Sequence, residues 1–295
     1  MAGGQERILR RRIKSVQATR KITKAMELIA ASQIAKAQAR ITANRPFRDG
    51  MARLMQEIVE GDPVLAKTLF ASAEHVDSVA VVAIVGDRGL SGAYNSNVLR
   101  ATERHVHDLK SRGVNVRLFA VGKKATNYFR FRGIATEEVF TGFADRPTFA
   151  DARTVSNVVL APYFAGEVQE LHLVSTKYLS SATQRVDNRI LLPLQAPEAD
   201  ATSSKLKGYT EFEPELSTLI AGLVRIPIES EIFTALLEGA ASFHTSQQRA
   251  MAAATENADE LNRVLTRVMN QARQASITTE IMEIVGGAEA LRSGK

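Results

Sequence analysis

Apolar and small residues recur along this chain on two different periods, and the change from one to the other divides it. From residue 228 to 285 there is no proline, and Met251, Ala254, Ala258, Leu261, Leu265, Val268, Ala272, Ala275, Thr279 and Met282 follow at alternating steps of three and four. A period of about 3.5 is the seam of a left-handed coiled coil. The same register runs back through Gln247, His244, Ala240, Leu237 and Phe233, which puts two polar residues where a seam prefers carbon. One uninterrupted helix here would be roughly 85–90 Å long at about 1.5 Å per residue. That exceeds the width of an ordinary domain, so the helix is expected to project.

The other end of the chain repeats the theme less regularly. Residues 5–61 read as helix, with Leu9, Ile13 and Val16 in one phase and Ile22, Met26, Ala30, Ile34, Ala37 and Ile41 on a spacing nearer 3.8. Pro46 breaks the pattern and biases Arg45 away from helical angles, so a kink is expected there. The helix resumes through Met51, Leu54, Met55 and Ile58, and Gly61, Asp62 and Pro63 make a turn. Two long helices with apolar stripes can bury those stripes against each other, antiparallel, as a stalk.

Between them the period changes. Residues 78–85 (SVAVVAIV) form a β-branched run without alternation, the mark of a strand buried on both faces. A loop at 86–92, a helix at 95–110, a strand at 115–121, a helix at 123–131, a strand at 134–140, a helix at 151–165 and a strand at 170–177 follow. Such alternation predicts an α/β fold with a mostly parallel, Rossmann-like sheet. Residues 183–192 are expected to add an antiparallel strand, 195–207 a polar loop, and 215–223 a short helix before the long one begins at Pro227. The expected division is therefore a coiled-coil helix over 1–62, a globular α/β domain over 63–208, and a short helix plus the long C-terminal coiled-coil helix over 209–295.

The seam is mostly alanine, so two helices can approach closely while burying little area per residue. The faces expected to point outward carry Gln248, Asn257, Asn262, Asn270, Gln271 and Gln274 rather than Glu and Lys pairs, a surface suited to exchangeable contacts. Ile277, Ile281, Met282, Ile284 and Val285 surround the last turns before Gly286 and Gly287, where the helix is expected to end. A helix apolar all round is buried in something.

Composition is near the globular average, with 45% hydrophobic and 24% charged residues. The absence of cysteine excludes disulfides, thiolate metal sites and cysteine nucleophiles. No apolar run has the length of a membrane span or signal core. Charge is unevenly placed. The formal net charge is +6, yet residues 1–48 hold twelve Lys or Arg against Glu6 and Glu27, a balance of +10 that leaves −4 for the other 247 residues. The basic segment calls for an acidic partner, either nucleic acid or an acidic protein collar.

Candidate chemistry is sparse. Gly86 to Gly92 (GDRGLSG) stands between a strand and a helix, where α/β proteins bind phosphate, but its G-x-x-G-x-x-G spacing is not the dinucleotide fingerprint. The second strand ends in Gly122-Lys123 where a ribose-binding acid is wanted, so a tight structural turn is the better account. His105 and His107 lie two apart on a helix, pointing to different faces, and make no metal pair. His244 reads as a packed seam residue, and Glu137 and Glu138 as solvated acids. The run Arg7, Arg10, Arg11, Arg12, Lys14, Arg20, Lys21 and Lys24 joined to a coiled coil suggests DNA binding, but no aromatic residue occurs before Pro46 and the heptad continuation is not leucine-rich. A nucleotide-dependent α/β enzyme is the other alternative reading.

Three stretches decide between these. Residues 12–40 (RIKSVQATRKITKAMELIAASQIAKAQAR), 87–97 (DRGLSGAYNSN), and 248–261 with 269–291 (QRAMAAATENADEL, MNQARQASITTEIMEIVGGAEAL) closely resemble the γ subunit of the bacterial F-type ATP synthase. The resemblance covers both ends and the first strand-loop-helix of the middle. It implies a central rotor: an antiparallel coiled coil inside a ring of α and β subunits, with an α/β domain beside the ε subunit and the membrane c-ring, turned by proton flow and driving the catalytic β sites. It implies no cofactor, no small-molecule substrate, no nucleic acid and no bond chemistry in this chain. It also implies membrane association only through the complex, at the cytoplasmic face. By the same resemblance Lys21, Lys24 and Met26 face acidic lever loops of β. Arg273, Gln274, Thr278 and Glu280 touch the inner wall of the ring, and Ile281, Met282, Ile284 and Val285 form an apolar tip in its sleeve. Ser91 stands where the family often has Cys, and Gln247 where many members have Arg.

Overall fold

In a computed structural model of the chain, which describes residues 2–61, 70, 73, 75–194 and 216–294, ten elements follow in order. They are α1 (Ala2–Gly61), β1 (Ser78–Ile84), α2 (Tyr94–Ser111), β2 (Asn115–Val121), α3 (Lys123–Phe131), β3 (Glu138–Phe140), α4 (Phe149–Phe164), β4 (Glu170–Tyr178), β5 (Gln184–Leu192) and α5 (Leu216–Ser293). They make two compact units: Met1–Ala30 with Gln248–Lys295, and Ala31–Gln247. Both long helices contribute to both units, so the division cuts across elements that the sequence order would keep whole.

The larger unit is built on a five-stranded sheet of order β3-β2-β1-β4-β5, parallel except for β5, which runs antiparallel to β4. β1 is central, and its lack of alternation has a direct structural cause. Val79, Val81, Ala83 and Val85 pack with Val98, Leu109 and Phe129 of α2 and α3 on one face. Ala80, Val82 and Ile84 pack with Met55 and Ile58 of α1, Val155 and Val159 of α4, and Ile228 and Ile232 of α5 on the other. Both faces of the strand are core, so every position must be apolar. α4 opens with a capping box in which Asp151 Oδ2 accepts from the Thr148 backbone N–H at 2.7 Å and Thr148 Oγ1 accepts from the Asp151 N–H at 3.2 Å.

Three expectations are corrected. First, 134–137 is not strand: Gly133 adopts φ +68°, the Ile134 N–H donates to the Phe129 carbonyl at 2.9 Å, and this half of the run closes α3 while only Glu138–Phe140 pairs with β2. Second, no separate short helix precedes Pro227, and Arg45 is helical: α5 and α1 pass through Pro227 and Pro46. Each proline removes one ladder hydrogen bond, a cost of about 3 kcal/mol, which burial on both sides offsets. Val224 and Ile228 flank Pro227 in the core, and Ala37, Met55 and Ile58 are buried on either side of Pro46. Third, Gly286 and Gly287 do not end α5, which continues to Ser293. The expected turn at 61–63, beyond Gly61, and the expected loop at 195–207 lie outside the described residues.

Candidate functional site

In the smaller unit the two helices lie antiparallel. Arg20 forms an ion pair with Asp259, and three residues further along α1 the hydroxyl of Thr23 meets that of Thr255 at 2.8 Å, four residues back along α5. From Met251 onward on α5, Met251, Thr255, Ala258 and Leu265 are buried, and Ala252, Ala254, Asp259, Asn262, Val264, Thr266, Val268, Met269, Ala272 and Ser276 are half-buried. On α1, up to Ala30, the buried and half-buried positions are Glu6, Leu9, Ile13, Val16, Thr23, Met26, Glu27 and Ala30, all but Met26 on a heptad of their own. The expected 3.5 seam holds at Met251, Ala258, Leu265, Val268 and Ala272, with Ala254 half-buried beside the more deeply buried Thr255, and it departs at Leu261, where Asn262 is the less exposed of the two. Leu261 is 46% exposed, and Ala275, Thr279 and Met282 are exposed. On α1, Ile22 turns outward and Thr23 inward.

The reason is that hydroxyls can be satisfied locally. Thr255 Oγ1 lies 2.8 Å from the Met251 carbonyl and Thr23 Oγ1 3.0 Å from that of Arg20, so one hydroxyl donates to its own helix while the other donates across the interface to it at 2.8 Å. A buried threonine so bonded costs little, which frees the larger aliphatics for the outer surface.

That outer surface carries the expected contact residues. Lys21 and Lys24 are exposed and Met26 is half-buried. Lys24 Nζ is engaged by the Glu27 carboxylate at 3.0 and 3.1 Å, whereas Lys21 shows no ion pair among the described residues. Ile8, Ile22, Leu28 and Ile29 stand exposed on the same segment. Arg273, Gln274, Thr278 and Glu280 are exposed, and Glu280 accepts from the Ser276 hydroxyl at 3.3 Å. Residues 277–292 are exposed throughout, including Ile281, Met282, Ile284 and Val285. The Arg20–Asp259 register places the start of α1 opposite about residue 276, so α5 outruns its partner there.

In the larger unit, the strand order reverses between β1 and β4, the crevice where open α/β sheets receive ligands. Here it is closed by α5. Phe243, 1% exposed, lies so near Gly86 that a Cβ on that glycine would stand 3.0 Å from Cδ2 of the ring. Tyr94 meets Phe243 edge-on at 5.7 Å, and a Cβ on Gly239 would stand 3.1 Å from the Tyr94 hydroxyl. The GDRGLSG turn is held by protein. Asp87 accepts from the backbone N–H groups of Lys123 (3.0 Å), Gly142 (3.0 Å) and Ala144 (3.2 Å), and Asn95 accepts from that of Gly86 (2.8 Å). Asp87 thus caps the N-terminus of α3 and ties the turn to the loop after β3. Gly122 has φ +105° and its missing Cβ would fall 2.4 Å from the Val85 carbonyl oxygen, so no acidic residue could stand there.

The sequence profile of the family described as ATP synthase matches residues 5–291. An ATP synthase gamma chain from Frankia casuarinae is 46% identical over 99% of both chains, and one from Parafrankia sp. 44% identical over the same share. The chain belongs to the ATP synthase gamma-chain family. Its fold is also similar to chains in the Euglena gracilis mitochondrial ATP synthase (TM-score 0.69, 16% identity, covering 99% of this chain and 96% of that one). A second solved likeness is in the central stalk and c-ring structure of the Tetrahymena thermophila mitochondrial enzyme (0.62, 22%, covering 79% and 99%). These likenesses are of fold: long N- and C-terminal helices and a mostly parallel sheet. Among the described residues no helix is long and apolar enough to cross a membrane, and no group of three potential ligands is placed to hold a metal ion.

Two polar clusters escaped sequence reading. His105 does not pair with His107 but with His172 of β4: Nε2 of His105 and Nδ1 of His172 are 2.7 Å apart, and Nε2 of His172 is 2.7 Å from Glu170. This chain lines a cleft of about 430 Å³ with Arg112 and Asn188. Burial holds both imidazoles below their ordinary value; Glu170 opposes the shift at His172. Glu137, expected to be solvated, is clamped by Arg117, which also reaches Glu167; hydrogen bonds from Arg117 hold the Glu137 carboxyl below its usual range. No spacing signals either cluster, because the partners come from different elements.

Proposed function

We infer that this chain is the central rotor-stalk subunit of an F-type ATP synthase, carrying rotation of the membrane c-ring to the catalytic subunits and influencing ATP hydrolysis and proton flow. One observation carries the reading: a whole-length family match coincides with an antiparallel pairing of the two ends of the chain. The finer assignments are proposals. Lys21, with Lys24 and Met26, faces acidic loops of the β subunits; Lys21 carries more of the attraction, since Glu27 already engages Lys24. Arg273, Gln274, Thr278 and Glu280 bear on the inner wall of the α and β ring, and Ile281, Met282, Ile284 and Val285 enter its apolar sleeve. The α/β unit meets the ε subunit and the c-ring at the cytoplasmic face of the membrane, so the chain itself crosses no bilayer. The chain does no bond chemistry: the closed crevice supports that, since Phe243 packs against the Gly86 turn where a nucleotide would bind.

Charge attraction depends on distance more than on register, so a basic rod can be pushed by successive acidic levers as it turns. The test is a tagged chain purified from native membranes, which should bring the α, β, ε and c subunits with it. Lys21→Glu with Lys24→Glu should uncouple ATP hydrolysis from proton pumping in inverted vesicles. Unchanged hydrolysis and pumping would refute the lever assignment.

A further inference from the structure

We propose that His105, His172 and Glu170 form an acid-released latch that fastens the C-terminal end of α2 to β4. Nε2 of His105 and Nδ1 of His172 are 2.7 Å apart, and Nε2 of His172 lies 2.7 Å from Glu170 Oε2. The ring centroids are 5.0 Å apart, about the nitrogen contact plus a ring radius at each end, so the rings meet edge to edge as hydrogen-bond partners. Beyond His105, α2 buries Val106 and Leu109, a short apolar hold to which the histidine contact adds.

The direction of the chain follows from what each group can donate. A carboxylate only accepts, so His172 Nε2 carries the proton given to Glu170. A neutral imidazole then has its lone pair on Nδ1, which accepts from the Nε2–H of His105. The lone pair of His105 is left on Nδ1, on a half-buried ring that lines the cleft of about 430 Å³. A first proton enters there without breaking a hydrogen bond. A second, on His172 Nδ1, would set two N–H donors against each other at 2.7 Å and two charges across 5.0 Å. At an effective dielectric of about 20 that repulsion alone weakens the second proton by roughly two orders of magnitude. The closed contact therefore holds at most one proton, whereas two separated, hydrated imidazoles each take one below about pH 6.5.

Burial is the largest influence on both rings and favours their uncharged form. Of the groups that face them, Arg112 of α2 also disfavours charge on either ring, while Asp108 of α2 favours it on His105 and Glu170 of β4 on both. Arg189 reaches the cleft from β5 beside the neutral Asn188, with Asp187 and Glu231 meeting its charge, and Val76 and Val114 add apolar lining. Both imidazoles thus bind protons less readily closed than open, so the latch is complete above about pH 6.5 and is lost as pH falls. Opening is linked to the uptake of between one and two protons, a tenfold to hundredfold rise in the opening constant for each pH unit. All of these groups belong to the larger unit, and the latch does not depend on the rotor reading.

The test is amide exchange of the full chain at residues 106–111, corrected for the intrinsic rate, from about pH 7 to about pH 5. Protection should fall by more than tenfold per pH unit below about pH 6, approaching a hundredfold. His105→Gln, whose amide still donates to His172 Nδ1, leaves one titrating ring and should limit the fall to about tenfold per unit. His105→Gln with His172→Gln should remove it, and His107→Gln, at an exposed position of the same helix, should leave it as in the unaltered chain. Independently of any variant, ring-nitrogen chemical shifts of the unaltered chain at about pH 7.5 should show both histidines protonated at Nε2 and bare at Nδ1. A fall of tenfold per unit or less in the unaltered chain, a fall that survives in the double variant, or a protonated His172 Nδ1 at about pH 7.5 would each overturn the latch.

Discussion

Leu265 and Leu261 lie about one turn apart on α5, yet Leu265 is 8% exposed and Leu261 46%. Replacing each in turn by alanine therefore weighs the observed seam against the one that apolar spacing suggests. A buried Leu→Ala change costs about 2–5 kcal/mol; against the small side chains of this two-helix coil the lower part of that range applies, about 2–3 kcal/mol. Leu261 has roughly half its surface in water, so at most half of the approximately 1.5–3 kcal/mol transfer term is lost. A few tenths return because alanine is the better helix former. The expected cost is below about 1 kcal/mol. The assay is native-state amide exchange over residues 251–270 of the full chain, which reports the opening of the coil separately from the globular unit. Leu265→Ala should reduce protection by about 30- to 150-fold and Leu261→Ala by less than about fivefold, at one decade per 1.4 kcal/mol. Equal losses at both positions would mean that Leu261 packs in the seam, and the inward placement of Thr255 and Asn262 would be wrong.

Gly122→Ala, with φ +105° and the Val85 carbonyl oxygen 2.4 Å from the new Cβ, should destabilise the globular unit by about 3 kcal/mol or more; a denaturant midpoint within error of the parent chain would contradict the close approach. The protonation of His105, His172 and His244 is disfavoured by burial, so the folded chain binds these protons less readily than the unfolded one. The stability they contribute is complete above the unfolded imidazole value of about 6.5 and is lost as pH falls below it. Denaturant midpoints should drop over that acid window, and His105→Gln with His172→Gln should flatten the slope; an unchanged slope in that variant would refute the assignment. Truncation after Ser276 removes a segment exposed throughout 277–292, so the melting midpoint should stay within the effect of about 0.5 kcal/mol typical of surface changes.

The sequence by itself determined the kinds of element and the family. Both signals are local: heptad spacing marks the two long helices, an unalternating β-branched run marks β1, and three stretches read along the chain mark the family. β2 and α3 match residue for residue, because each sits between glycines whose φ values of +82° (Gly113), +105° (Gly122) and +68° (Gly133) force the chain to turn. Tertiary structure alone decided which side of each helix faces inward. Leu261 looked like a seam residue because carbon normally seeks burial, yet it is 46% exposed beside a half-buried Asn262, while Thr23 and Thr255 meet in buried positions across the interface. It also decided that Pro46 and Pro227 stay helical, since burial on either side outweighs one lost backbone bond. The filling of the β1–β4 crevice by Phe243 and the meetings of His105 with His172 and of Asp145 with His244 were equally invisible. Those contacts join residues 67 to more than 150 positions apart, and periodicity carries no information about which elements will fold onto one another.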